Sequence, residues 1–148
     1  MKKNKRLDSV DMLVVHCSAT QPDADIGVKE IDRWHRDRGW LKVGYHLVIR
    51  RDGTVEQGRY LDEQGAHAVE VNDHSLGICL VGGVDDQMEA EDNFSEAQFK
   101  ALADVLDALL VFYPDAAICG HRDIEGVNKD CPSFNVSQWL ESQSGVKL

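Results

Sequence analysis

Two histidines and a cysteine are the residues of this chain best suited to hold a catalytic metal ion. His16 and His121 each follow a short apolar run, and Cys131 lies in the polar segment after His121. Zinc accepts imidazole nitrogen and thiolate sulfur as ligands, and three protein ligands leave a further position open to water. Water bound there loses a proton at about pH 7 and becomes a nucleophile. Each residue alone is more often structural, so the prediction of a hydrolytic zinc site depends on their convergence.

Tyr45 and Lys129 are candidates for groups that stabilise charge beside such a metal. Lys129 lies two residues before Cys131, and in an extended segment residues i and i+2 point to the same side. A cation there would stabilise negative charge on an attacked carbonyl oxygen, and the Tyr45 hydroxyl could donate to that oxygen or relay a proton. The ordinary alternatives are a solvated surface lysine and a strand tyrosine packed in the core.

Short apolar strands and amphipathic helices are predicted to position these residues. The predicted strands are 11–16, 44–50, 54–56, 76–81 and 116–120, with a hairpin turn at Asp52-Gly53. The predicted helices are 27–38, a segment from the capping box of Ser95 and Gln98 to Pro114, and roughly 136–143 after Asn135. This order predicts one α/β domain with a central mixed sheet flanked by helices. His16 and His121 would both lie at strand ends, where sites gather in such sheets.

The composition limits the classes of partner. The chain has 148 residues and a formal net charge of −10, which disfavours binding to nucleic acid. Residues 1–8 form a basic tail ahead of a domain at 9–148, and Asp8 and Asp11, which follow the four basic residues, do not suit a signal peptide. No apolar run is long enough for a membrane helix. We therefore expect a cytoplasmic protein, without a signal peptide and without stable membrane association.

The other cysteines and histidines are interpreted as structural. Cys79 and Cys119 lie in apolar strands, where a free cysteine behaves as a small hydrophobe. Cys17 follows His16 directly, so it should point to the opposite face of its strand. His35, His46 and His74 are not expected to bind metal.

The motifs as a whole resemble the type 2 N-acetylmuramoyl-L-alanine amidases, which depend on zinc. The most similar members are the small amidase endolysins of T-odd coliphages, and peptidoglycan-recognition proteins share the fold. The resemblance spans about residues 10 to 140. It is carried by His16-Cys17-Ser18-Ala19-Thr20, Val43-Gly44-Tyr45-His46, Gly77-Ile78-Cys79-Leu80-Val81-Gly82-Gly83, Gly120-His121-Arg122-Asp123 and Lys129-Asp130-Cys131-Pro132-Ser133-Phe134.

The resemblance implies that residues 9–148 form a zinc amidase domain with one Zn²⁺ ion. It implies His16, His121 and Cys131 as the zinc ligands and Tyr45 and Lys129 as the catalytic pair.

Two further assignments from the resemblance have alternatives. His67 matches a position in the substrate groove, with Asn72 as a second candidate, although His67 could instead be a turn residue held by the backbone. Asp130 is an alternative third ligand, because some relatives use an aspartate there. Cys131 is preferred since thiolate suits zinc and the residues after it align with the family motif.

The function implied by the resemblance is hydrolysis of the amide between the lactyl group of N-acetylmuramic acid and L-alanine in peptidoglycan. A phage endolysin acting in host lysis fits best, reaching the cell wall from the host cytoplasm after the membrane has been opened. We expect a monomer whose main partner is peptidoglycan. The resemblance also permits a second role, binding and inhibiting a phage RNA polymerase. The alternatives are a non-catalytic peptidoglycan-binding module and a cytosolic amidase that recycles wall fragments.

Overall fold

A computed structural model of the chain describes residues 5–144 and shows a mixed sheet between helices. The strands are β1 (Met12–Cys17), β2 (Leu47–Ile49), β3 (Val55–Gln57), β4 (Ser75–Leu80) and β5 (Ala117–Gly120). Their order in the sheet is β3-β2-β4-β1-β5. Only the β2–β3 hairpin pair is antiparallel, and the pairs β1–β4, β1–β5 and β2–β4 are parallel. The predicted fold class is therefore confirmed.

Of the three helices, the second and third begin where their predicted capping residues indicate. The helices are α1 (Val28–Asp37), α2 (Glu96–Phe112) and α3 (Val136–Ser144). Gln98 N donates to Ser95 Oγ at 3.1 Å and Ser95 N donates to Gln98 Oε1 at 3.0 Å, which completes the predicted capping box of α2. Gln138 N donates to Asn135 Oδ1 at 3.0 Å at the start of α3.

The predicted strand at 44–50 is regular only over Leu47–Ile49. Ahead of it, His46 N donates to Gly77 O at 2.9 Å, while Gly58 N and Arg59 N donate to the carbonyls of His46 and Tyr45. The segment is therefore held on both sides but does not follow a regular ladder. This places Tyr45 in an irregular, well-bonded stretch and corrects its predicted position at the start of a strand.

Alternate residues of β1 face opposite sides of the sheet, as strand geometry requires. Leu13 and Val15 are fully buried in a large apolar core, in which the leucines of α2 and residues of α3 also pack. Val14 lies in a separate small cluster on the other face, so His16 points to that second face as well. β1 and β5 are parallel with Val15 opposite Gly120, which brings His16 in β1 and His121, the residue directly after β5, side by side.

Part of the predicted basic tail is packed against the domain. Leu7 N donates to Asp62 O and Gln64 N donates to Lys5 O, both at 2.8 Å. Leu7 also packs against the main core. The packed part of the chain thus includes residues ahead of the predicted boundary at residue 8, while Lys2 and Lys3 lie outside the described residues. Within residues 5–144, none of the helices is long and apolar enough to cross a membrane.

Candidate metal centre and active site

His16, His121 and Cys131 converge at the carboxyl edge of the sheet. One potential ligand atom from each residue lies within 4.8 Å of the other two. Cys131 Sγ is 3.8 Å from His16 Nδ1, and the rings of His16 and His121 are 4.5 Å apart between centroids. Nitrogen and sulfur ligands of one zinc ion are about 3–4 Å apart, given bond lengths of about 2.0–2.3 Å. The donor set and its spacing therefore fit a metal ion with an open coordination position.

The loop after β5 brings Cys131 to the histidines. Arg122 N donates to Cys131 O at 2.8 Å, which closes the loop, and Ser133 Oγ donates to Gly83 O at 2.8 Å. Cys17 N donates to Cys131 Sγ at 3.2 Å, and such a bond stabilises a thiolate. Asp130, the alternative third ligand, is exposed and does not belong to the cluster of three.

The two histidines of the cluster are neutral, as metal binding requires. Burial holds the pKa of His16 well below its usual value, and the neighbouring His67 and His121 lower it further. The pKa of His121 is also lowered, first by burial and then by the positive charge of Lys129. The cluster thus holds two imidazoles able to donate a lone pair at neutral pH.

Tyr45 lies against His16 with a protonated hydroxyl. The ring centroids of the two residues are 5.1 Å apart. Burial raises the pKa of Tyr45 well above its usual value, and the neighbouring cysteine thiols raise it further. Gly44, the preceding residue, donates from its backbone N to His35 Nδ1 at 2.8 Å. The Tyr45 ring therefore lies beside the cluster, and its protonated hydroxyl is able to donate a hydrogen bond.

A cleft of about 520 Å³ opens beside the cluster. His121 and Lys129 form part of its wall, and the predicted substrate-binding residues His67 and Asn72 also line it. Asn72 Oδ1 accepts hydrogen bonds from His67 N at 2.9 Å and Ala68 N at 2.8 Å. Asn72 thus shapes the loop that carries His67, in addition to its place in the cleft wall.

Sequence reasoning missed three residues around the site. Trp40 and Glu70 line the cleft, and Ser75 contacts His67 from within the protein. A usable signal was Gly77, because a glycine inside an apolar strand marks a close approach of another group. A Cβ on Gly77 would come within 2.6 Å of the His67 ring.

His35, His46 and His74 have hydrogen-bond partners outside the cluster. His46 Nε2 donates to Glu63 O at 2.7 Å, and its Nδ1 accepts from Gly77 N at 3.0 Å. His35 Nδ1 accepts from Gly44 N. His74 is paired with Asp73 at 2.6 Å. Both nitrogens of His46 are thus engaged by the backbone.

Two imidazoles and a thiol at the edge of a mixed sheet, beside a cleft that carries a lysine, are a donor set of the kind that metal-dependent hydrolases use. Residues 6–134 match the family model described as N-acetylmuramoyl-L-alanine amidase, so the chain belongs to that amidase family. The endolysin of Escherichia phage T7 is 46% identical over 142 residues, which cover 96% of this chain and 93% of that protein.

Solved structures show the same fold. N-acetylmuramoyl-L-alanine amidase LysC from Clostridium intestinale URNW superposes with a TM-score of 0.82 at 25% identity, covering 97% of this chain and 91% of that chain. Drosophila PGRP-LB superposes with a TM-score of 0.76 at 25% identity, covering 95% of this chain and 85% of that chain. The resemblance drawn from the sequence motifs is confirmed, and the chain is an amidase of this family.

Proposed function

We propose that the chain is a zinc-dependent endolysin that hydrolyses the bond between the muramic acid lactyl group and L-alanine in peptidoglycan. The observation that carries the proposal is the convergence of His16, His121 and Cys131 within 4.8 Å beside the cleft. Family membership and the similarity to a phage endolysin support the bond and the biological role.

The protein residues divide the work between holding the metal and stabilising charge. His16, His121 and Cys131 would hold zinc, and the chemistry that zinc supplies when bound is activation of water and polarisation of a carbonyl. The Tyr45 hydroxyl donates a hydrogen bond to the carbonyl oxygen as negative charge develops on it. Lys129, on the cleft wall, adds a positive charge there, and one of the two passes a proton to the leaving amine.

Digestion of purified peptidoglycan tests the reaction. The zinc-loaded protein is expected to release new α-amino groups of alanine without new reducing sugar ends, and a chelator is expected to abolish the release. Readdition of zinc should restore it. New reducing ends would instead indicate a glycosidase, and full activity in a metal-free preparation would remove the mechanism.

The same digestion separates the alternatives. A non-catalytic module would bind peptidoglycan and release nothing. An amidase that recycles wall fragments would prefer soluble muropeptides, whereas an endolysin is expected to digest intact sacculi. The location in the host cytoplasm with later access to the wall, and the monomeric state, stay predictions.

The second role, binding and inhibiting a phage RNA polymerase, stays a prediction from the resemblance. It is tested by inhibition of transcription by a purified single-subunit phage polymerase. Unchanged transcription at an excess of the amidase would contradict it.

A further inference from the structure

Three hydrogen bonds connect the candidate metal centre to a backbone carbonyl. His16 Nε2 is 2.8 Å from His67 Nδ1, and His67 Nε2 is 3.1 Å from Ser75 Oγ. Ser75 Oγ donates to Val71 O at 2.7 Å. Ser75 is fully buried, and His16 and His67 are 1% and 9% exposed. The residues form a continuous path from the ligand His16 to the turn before β4.

The last acceptor sets the direction of every bond in this path. A carbonyl oxygen only accepts, so the single hydroxyl proton of Ser75 points to Val71 O. Ser75 Oγ must then accept a hydrogen bond from the N–H at His67 Nε2. A neutral imidazole carries one N–H, so His67 Nδ1 has a lone pair and accepts from His16 Nε2. His16 Nδ1 is left without a proton, 3.8 Å from Cys131 Sγ.

We propose that Ser75 and His67 are positioning residues that keep the proton of His16 on Nε2 and leave Nδ1 free to bind the metal. This rests on the proposed role of His16 as a metal ligand. The reverse direction would place a proton on His16 Nδ1, in the metal position. It would also leave the oxygens of Ser75 and Val71 facing each other at 2.7 Å without a proton between them.

The packing around His67 holds its ring in the orientation that the path requires. A Cβ on Gly65 would come within 2.7 Å of the ring, and a Cβ on Gly77 within 2.6 Å, so both glycines make room for it. The backbone N–H of His67 is bound by Asn72 Oδ1 at 2.9 Å. His67 is 9% exposed, and burial favours the neutral form of an imidazole.

The position of the imidazole protons is read directly by long-range ¹⁵N–¹H correlation spectra of the full chain. We expect the proton on Nε2 for both His16 and His67, in the zinc-free as well as the zinc-loaded protein. His46 is an internal reference, because its Nε2 donates to Glu63 O and its Nδ1 accepts from Gly77 N. A proton on His16 Nδ1 in the zinc-free protein would overturn the proposal.

Variants of Ser75 test its role through zinc affinity, measured by competition with a chelator. Ser75→Ala removes the acceptor for His67 and is expected to weaken zinc binding about 10-fold or more and to mix the tautomers of His16. Ser75→Thr keeps the hydroxyl and is expected to recover most of the affinity. Ser95→Ala is the matched control, since it disrupts the cap of α2 away from the site. It should lower Tm and leave zinc affinity unchanged.

Substitutions of His67 separate hydrogen bonding from ring packing. His67→Asn keeps an acceptor near the position of Nδ1 and is expected to bind zinc more tightly than His67→Leu. Equal zinc affinity in wild type and Ser75→Ala, or in the two His67 variants, would refute the positioning role. Wild-type protein that binds no zinc would instead refute the proposed function, and the tautomers of the zinc-free protein would still test the path.

Discussion

The two faces of the central sheet use alternate residues of the same strands but hold their side chains by different forces. On the sheet face that α2 covers, called the apolar face below, Leu13 and Val15 pack with other buried apolar side chains. On the opposite face, called the polar face below, His16 and His67 are also buried but are joined to each other and to Ser75 by hydrogen bonds. Apolar packing is non-directional, whereas a buried polar group depends on each partner. One strand thus contributes stability on one face and chemistry on the other.

The greatest loss of activity is expected when the proposed thiolate ligand, Cys131, is removed from the polar face. Cys131→Ser should lower peptidoglycan hydrolysis by more than about 100-fold, because even residues that only orient metal ligands cost 10–100-fold. Bound zinc should fall in parallel when measured by atomic absorption. Cys119→Ser, in β5 and outside the cluster, is the matched control with near wild-type zinc content. Retention of zinc and activity in Cys131→Ser would contradict the assignment of Cys131 as a metal ligand.

Substitutions on the apolar face should change the stability of the protein and leave its zinc affinity unchanged. Leu106 is 2% exposed in the core. Leu106→Ala is expected to lower the unfolding free energy of the protein by about 2–5 kcal/mol, because the smaller side chain leaves a cavity. Urea unfolding measures this change, and zinc affinity of the folded protein should be unchanged. The control is Val111→Ala on the exposed side of the same helix, where Val111 is 77% exposed. A marked loss of zinc affinity in Leu106→Ala would show that the two faces are coupled.

Substitution of Lys129 separates the stabilisation of negative charge during the reaction from the binding of the metal. Lys129→Met should lower kcat by about 100-fold, the cost of removing one group that stabilises an oxyanion. Zinc affinity should not fall, because Lys129 lines the cleft and is not in the ligand cluster. Lys100→Met removes an exposed lysine paired with Asp104 on α2 and is the matched control. A Lys129 variant with unchanged kcat would remove this residue from the mechanism.

The smallest effect is a dependence of stability on pH that originates in the buried histidines. Burial lowers the pKa of His46 to about 4 from its usual 6.5, so between these values the unfolded chain binds more protons than the folded one. Stability therefore falls as pH decreases through this window. The contribution of His46 is about 2 kcal/mol between pH 7 and pH 5. Urea unfolding of the zinc-free protein at both pH values measures it, and equal or greater stability at pH 5 would contradict the sign.

Local sequence patterns predicted most of the fold. The capping box of Ser95 and Gln98 predicted where α2 begins, and the apolar runs predicted β1, β4 and β5. The irregular segment at Tyr45 was not predictable, because it depends on bonds to Gly58, Arg59 and Gly77 that are distant in sequence. The pairing of Lys5 and Leu7 with 62–64 was missed for the same reason.

The site was predictable to the extent that strand ends and family motifs define it. His16 ended one predicted strand and His121 directly followed another, and the parallel register of β1 and β5 brings them together. The path through His67 and Ser75 was not predicted, since a buried serine in a strand has no pattern of its own. Its direction depends on a single carbonyl, that of Val71, which only the folded structure places.

X-ray absorption at the zinc edge of the zinc-loaded protein identifies the atoms that bind the metal. We expect one zinc ion per chain with one sulfur at about 2.3 Å and two imidazole nitrogens at about 2.0–2.1 Å. In Cys131→Ser the sulfur contribution should disappear. A zinc shell of oxygen and nitrogen alone in the wild-type protein would show that Cys131 is not a ligand.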